Sequence, residues 1–148
     1  MKVFEIQPAS NSILFIIIPL TILLLVILFI FVYAFIASKN TKFIIAEKTL
    51  DIQASLYSRK IQLDQIKRNE IKLVNIINNL NWSPKWRTNG IGFSGYKEGW
   101  FKLHNGEKGL LFMTDKRKVV LIPTINNYYI MVSPTNPTEF IQALSQPE

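Results

Sequence analysis

The stretch Gly90-Ile91-Gly92-Phe93-Ser94-Gly95 matches the pattern G-x-G-x-x-G, and Asp115 follows twenty residues after Gly95. In a dinucleotide-binding loop that spacing has a physical purpose. The glycines let the backbone approach a pyrophosphate, a helix N-terminus receives its charge, and an acid about twenty residues on holds the ribose. The chemistry requires a strand before the first glycine and a helix starting at the last. Upstream, Asn81-Trp82-Ser83-Pro84-Lys85-Trp86-Arg87-Thr88-Asn89 reads as a turn-rich approach broken by Pro84. Downstream, Tyr96-Lys97-Glu98-Gly99-Trp100-Phe101-Lys102-Leu103 is bulky and leads into Asn105-Gly106, a strong hairpin signal because both central turn residues need positive φ. The dinucleotide reading fails on both flanks. The sequence instead predicts Gly90, Gly92 and Gly95 as bends or bulges where the chain enters a meander of strands, Gly106 as a turn glycine, and Gly99 and Gly109 as relief of crowding opposite Trp100 and Phe101.

The remaining reactive side chains form no constellation. His104 is the single histidine and falls at the edge of the predicted hairpin turn; cysteine is absent. The ten acids are scattered, without paired carboxylates or metal-ligand spacing, and there is no nucleophile elbow or phosphate-binding loop. The sequence is thus poorly equipped as an enzyme and calls for no cofactor and no metal. Absence of cysteine also excludes disulfides and thiolate sites and leaves the redox compartment open. The basic residues carry more information: 17 Lys and Arg stand against 10 Asp and Glu, a formal net charge of +7. Short clusters occur at Arg59-Lys60, Lys67-Arg68, Lys85 with Arg87, and Lys116-Arg117-Lys118.

What positions these residues begins with the N-terminus. From Ile13 to Ala37 the chain runs 25 residues without a charge, where a bilayer span needs about 20. The run is longer than the core of a cleaved signal peptide and lacks a basic lead-in and a small-x-small exit, so it reads as a retained transmembrane helix. Pro19 sits in its first turns, where a lost hydrogen bond costs least, and Tyr33 is placed to anchor the far interface. Lys2, offset by Glu5, precedes the run; Lys39, Lys42 and Lys48 follow it, which predicts the C-terminal part on the cytoplasmic side. The expected organisation is a flank over 1–12, the membrane helix over 13–37, a short tether over 38–41, a folded domain over 42–145 and a tail over 146–148. So short a tether would keep the domain against the bilayer surface.

Beyond Ser38 the pattern is a series of short apolar runs separated by turn residues, the signature of an all-β domain. Strands are expected at 42–46, 49–52, 56–61, 71–77, 99–103, 110–114, 119–123 and 128–132, with a turn of helix near Leu63–Ile66. The part from Tyr96 to Ser133 reads as a meander of four antiparallel strands. Asn136, Pro137 and Glu139 form the sequence of a capping box, and Phe140, Ile141 and Leu144 then share one helical face. The domain is expected to close with one short amphipathic helix packed on the mouth of the sheets.

The segment from Arg87 to Thr124, followed by an aromatic strand, "SPTNP" and "EFIQAL", resembles the bacterial pleckstrin-homology-like (PH-like) domain family, whose members are small and often membrane-anchored; the likeness extends over about 42–144. The resemblance implies a mainly-β fold, with two roughly orthogonal antiparallel sheets capped by a C-terminal α-helix and no catalytic activity. It places the helix in a bacterial inner or plasma membrane. The function expected is a membrane-anchored binding or scaffolding module that engages a protein partner or a second copy of itself. The alternative is a reader of anionic lipid headgroups through Arg59, Lys60, Lys116, Arg117 and Lys118, each cation near a membrane surface contributing about 1 kcal/mol. The phosphoinositide pattern of eukaryotic relatives puts several cations around the first hairpin. That region here reads Ala46-Glu47-Lys48-Thr49-Leu50-Asp51, with two acids and one lysine. A net charge of +7 on a membrane-tethered chain gives no basis for nucleic-acid binding.

Overall fold

The structure is a computed structural model that describes residues 3–4, 11–54 and 56–146. Most of the flank over 1–12, including Lys2 and Glu5, lies outside the described residues, as do 147–148 of the tail. The chain divides into two compact units, Met1–Ile36 and Ala37–Glu148.

The first unit is dominated by helix α1 (Leu14–Asn40), entered through a 3-10 turn at Asn11–Ile13. Its described side chains are exposed on every face. Among the described residues it is the one helix long and apolar enough to cross a membrane, over Leu14–Tyr33. Twenty residues at ~1.5 Å each give about 30 Å, the thickness of the hydrocarbon core. Pro19 lies inside the helix, and the Thr21 hydroxyl donates to the Ile17 carbonyl at 2.9 Å, so its proton stays within the helix. Where the sequence predicts a tether over 38–41, the helix runs on through Asn40, and only Thr41 precedes the first strand.

Among its described residues the second unit holds nine strands in two sheets. Strands β1 (Lys42–Ala46), β2 (Thr49–Gln53) and β3 (Arg59–Gln62) form a small antiparallel sheet in that order. Strands β4 (Lys72–Val74), β5 (Pro84–Phe93), β6 (Tyr96–Leu103), β7 (Lys108–Met113), β8 (Val119–Pro123) and β9 (Tyr129–Val132) form a six-stranded sheet of order β4-β8-β9-β7-β6-β5. Helix α2 (Pro137–Ser145) closes the chain. This is the expected class, two sheets of mainly-β structure and a C-terminal helix.

The large sheet is apolar on both faces. On one, Leu110, Phe112, Val120, Ile122, Ile130 and Val132 pack with Leu50, Ile52 and Ile61 of the small sheet and with Phe140 and Leu144 of α2. On the other, Val74, Phe101, Leu103, Leu111, Val119, Leu121 and Met131 are covered by Ile76 and Trp82. A segment with little regular structure, 75–82, thus covers one face of the sheet. That explains why the strand predicted over 71–77 shortens to Lys72–Val74: Ile76 must leave the ladder to reach over the sheet, and its N–H is taken by the Lys116 carbonyl at 3.0 Å. The turn predicted near Leu63–Ile66 is a 3-10 turn at Leu63–Gln65.

The four-strand meander is corrected. Strand β8 does not pair with β7; β9 lies between them, antiparallel to β8 and parallel to β7. The 114–118 loop crosses the end of β9, where the Ser133 hydroxyl donates to the Asp115 carbonyl at 2.9 Å. Strands β8 and β9 are buried almost throughout, which suits interior strands covered on both faces.

Three local expectations also change. The stretch before Gly90 is not a turn-rich approach but strand β5, whose register shifts at Pro84/Trp86 and Arg87/Asn89. Gly90 and Gly92 therefore sit within a strand, whereas Gly95 and Gly106 occupy turns. In the 104–107 turn Gly106 alone has positive φ (87°), and its N–H donates to the Leu103 carbonyl at 3.1 Å. That is a type I turn followed by a left-handed glycine, not the Asn-Gly turn with two positive φ values. The capping box is incomplete: the Asn136 side chain donates to the Glu139 carboxylate at 3.3 Å and caps no backbone N–H.

Candidate functional site: the surfaces around strands β1 and β6

The glycine-rich stretch is the β5–β6 hairpin, so no helix N-terminus follows Gly95 and the dinucleotide reading has no structural footing. His104 is exposed, with Nδ1 2.9 Å from the Ser83 hydroxyl. That hydroxyl gives its proton to the Leu80 carbonyl at 2.7 Å, so the imidazole has none to accept and donates its own. A general base acting on a serine needs the reverse arrangement. The contact ties the 104–107 turn to residues 80–83. Among the described residues no group of His, Asp and Glu could hold a metal ion.

The five basic residues singled out from the sequence separate into three places. Arg59 begins β3 opposite Ile52, at an inward-facing register position, and its guanidinium lies 5.3 Å from the centre of the Trp100 ring. Lys60 pairs with Asp51 on the opposite face of the same sheet. Lys116, Arg117 and Lys118 are exposed in the β7–β8 loop, where the Arg117 N–H donates to the Asp115 carboxylate at 2.8 Å. That loop adds a residue not singled out by sequence. Burial first, and the Lys116 ammonium second, hold the Lys97 ammonium below its usual range. The folded domain gives up this proton more readily than the unfolded chain. The penalty is present in full below the lowered pKa and fades as pH rises towards the ordinary value of 10.5. Lys97→Met should therefore stabilise the domain near neutral pH and remove its gain in stability towards pH 10.5, as read from thermal unfolding across that range.

Sequence reasoning also missed Glu98. It is fully buried on β6, where one carboxyl oxygen accepts the N–H groups of Leu56 and Tyr57, each at 2.9 Å. The other accepts the Tyr96 hydroxyl at 2.6 Å, and Thr41 Oγ1 lies 3.5 Å from that same hydroxyl. The β2–β3 loop is thereby fastened to β6 just before Arg59. Tyr57 adds a hydrogen bond of 2.6 Å to Asn89 on β5. The signal was in the alternation: Glu98 shares the parity of Tyr96 and Trp100, the inward-facing positions of β6.

A groove of about 540 Å³ runs beside β1, lined by Thr41, Phe43 and Ile44 on one side and by Asn136, Glu139 and Phe140 on the other. It lies beside the unpaired side of β1, the edge strand of its sheet. Asn136 and Glu139, predicted as a helix cap, thus line its wall.

A family model described as Bacterial PH domain matches residues 41–147. No curated protein and no solved structure matches the chain. PH-like domains are in general non-catalytic binding modules, in keeping with two sheets and a closing helix that present edges, loops and a groove. With a match that extends from the first strand past the last helix, the chain belongs to the bacterial PH domain family.

Proposed function

We propose that this chain is a membrane-anchored binding module whose domain holds an extended segment of a partner protein along β1. The observation that carries this reading is the groove of about 540 Å³ beside a free strand edge. Edge strands commonly carry proline, bulges or several charges that discourage pairing. Strand β1 has regular register, no proline and one charge, Lys42, and it exposes Ile44. A peptide laid antiparallel or parallel to it gains main-chain hydrogen bonds, with side-chain pockets supplied by the groove. Lys39, Lys42 and Lys48 favour a cytoplasmic domain at a bacterial inner or plasma membrane, which a C-terminal reporter active on one side only would test.

A photo-crosslinking residue at position 44, activated in intact membranes, should yield a discrete adduct that an excess of unmodified chain suppresses and an Ile44→Asp chain does not. An adduct of twice the chain's mass identifies a second copy as the partner. A chain that gives no adduct from position 44 overturns the reading.

A second reading rests on Lys97, Lys116, Arg117 and Lys118 as a headgroup-binding turn. It is supported by position: Lys97 and Lys116 adjoin Tyr96, whose hydroxyl lies near Thr41, the residue that follows the apolar helix. Residues 38–148 should float with vesicles containing anionic lipid and lose that association on Lys116/Arg117/Lys118→Ala. Flotation indifferent to lipid charge excludes it.

A further inference from the structure

Trp100 gathers more cations than any other described side chain. Its half-buried ring lies on the face of β6 that looks towards the small sheet. Lys108 Nζ is 4.2 Å from the ring centre, the Arg59 guanidinium 5.3 Å, and Tyr128 meets it nearly edge-on at 5.1 Å. Lys108 pairs across the ladder with Lys102, and Lys102 pairs with Trp86. Directly paired residues share a face, so Trp86, Lys102 and Lys108 form a row across β5, β6 and β7, about 10 Å wide at ~4.8 Å per strand. Lys85 adds its ammonium 4.9 Å from the Trp86 ring. Four cations and two indoles therefore occupy one side of the sheet.

These charges are uncompensated. Among the described residues, neither Arg59, Lys85, Lys102 nor Lys108 has a carboxylate within 4.0 Å. The acid that shares this face, Glu98, is buried and already accepts three hydrogen bonds. Ring contacts hold an ammonium or guanidinium in place without neutralising it. The cations are thus prearranged beside apolar surface, and an incoming anion both relieves their repulsion and finds its donors positioned. The register shifts at Pro84/Trp86 and Arg87/Asn89 interrupt the β5 edge, so recognition here falls to side chains and not to strand addition.

We propose that this face binds an acidic peptide segment of a partner protein, carboxylates meeting Arg59, Lys102 and Lys108 while apolar atoms rest on Trp86 and Trp100. An extended peptide presents same-side carboxylates every second residue, about 6.6 Å apart, which suits cations spread over a row of this width. The site is separate from the β1 groove and does not depend on it.

The test uses the full chain in nanodiscs of phosphatidylcholine and a fluorescent glutamate-rich peptide, read by anisotropy. Saturable binding that weakens with salt is expected. Arg59→Gln with Lys108→Gln should weaken it about ten-fold, two exposed charges each contributing under ~1 kcal/mol. Lys116→Gln with Lys118→Gln, and separately Ile44→Asp, should change it less than about two-fold. Because Arg59 and Lys108 are exposed, the unfolding midpoint should hold steady in the double variant, separating lost binding from lost fold. No saturable binding, or equal loss in the control variants, overturns the proposal. Association that requires Arg59 and Lys108 but occurs only with phosphatidylserine in the disc assigns the face to lipid and overturns the peptide.

Discussion

Gly99→Ala should be among the most damaging single-methyl additions to this domain, lowering the unfolding midpoint by on the order of 15 °C. Gly99 on β6 stands directly opposite Gly90 on β5, with φ of +106°. A Cβ there would lie 2.6 Å from both the Asn89 carbonyl oxygen and the Gly90 Cα, and 3.1 Å from the Tyr57 ring. Two of those neighbours are backbone held in a ladder, and the third is tied by its hydroxyl to Asn89, so none can yield cheaply. Left-handed strain of about 1–2 kcal/mol adds to overpacking of about 1–3 kcal/mol, against a total stability of about 5–15 kcal/mol. Gly95→Ala is the matched control. It has φ of +85° and open space around the new methyl, so it should cost about 1 kcal/mol. Thermal unfolding of both variants in one detergent decides the matter; equal losses would show that the close approach of β5 to β6 is not what position 99 serves.

Glu98→Ala is expected to have an effect of similar size. Removing the carboxyl strands the part-buried N–H groups of Leu56 and Tyr57, each at about 1–3 kcal/mol when left unsatisfied, and takes its 2.6 Å acceptor from the Tyr96 hydroxyl. A loss of roughly 2–6 kcal/mol follows, and it should be local before it is global. Amide exchange at Leu56 and Tyr57 should accelerate more than exchange in β8 or β9. Glu98→Gln keeps one acceptor oxygen and should retain part of the protection. If Glu98→Gln and Glu98→Ala behave identically, hydrogen bonding is not the role of this side chain. Because the fastened loop leads straight into Arg59, Glu98→Ala should also weaken acidic-peptide binding more than an equally destabilising change on the far face of the sheet.

Much of this architecture was legible in residue order because it rests on short-range physics. The uncharged run from Ile13 to Ala37, the hairpin around Gly106 and the apolar stripe Phe140-Ile141-Leu144 each express a local pattern. Phe140 and Leu144 are buried as that stripe requires, and Ile141 packs at its edge. What escaped were choices made between distant segments. Pairing β7 with β9 instead of β8 leaves no local trace, since the 115–118 loop looks like any turn. Yet a trace did exist. "VVLIP" and "YYIMV" do not alternate, and unbroken apolar strands belong inside a sheet covered on both faces, not at the outer end of a meander. Segment 75–82 was misread for the complementary reason: buried Ile76 and half-buried Trp82 pack on the core from a stretch without periodicity. The charge clusters were visible as types but not as places. Arg59 gained its setting from Trp100, 41 positions away in sequence, and Lys108 from the opposite strand of a hairpin.

The late insertion of β9 bears on how the polypeptide matures as it leaves the ribosome. Until Tyr129–Val132 has emerged, β7 and β8 have no partner on their facing sides, and the gap between them exposes two rows of unmatched peptide groups flanked by apolar side chains. A nascent chain stalled or cleaved near Ile125 would hold most of its sheet yet remain open, a ready target for chaperones and proteases. Biogenesis of the domain therefore waits on four residues close to its C-terminus, however early its hairpins form.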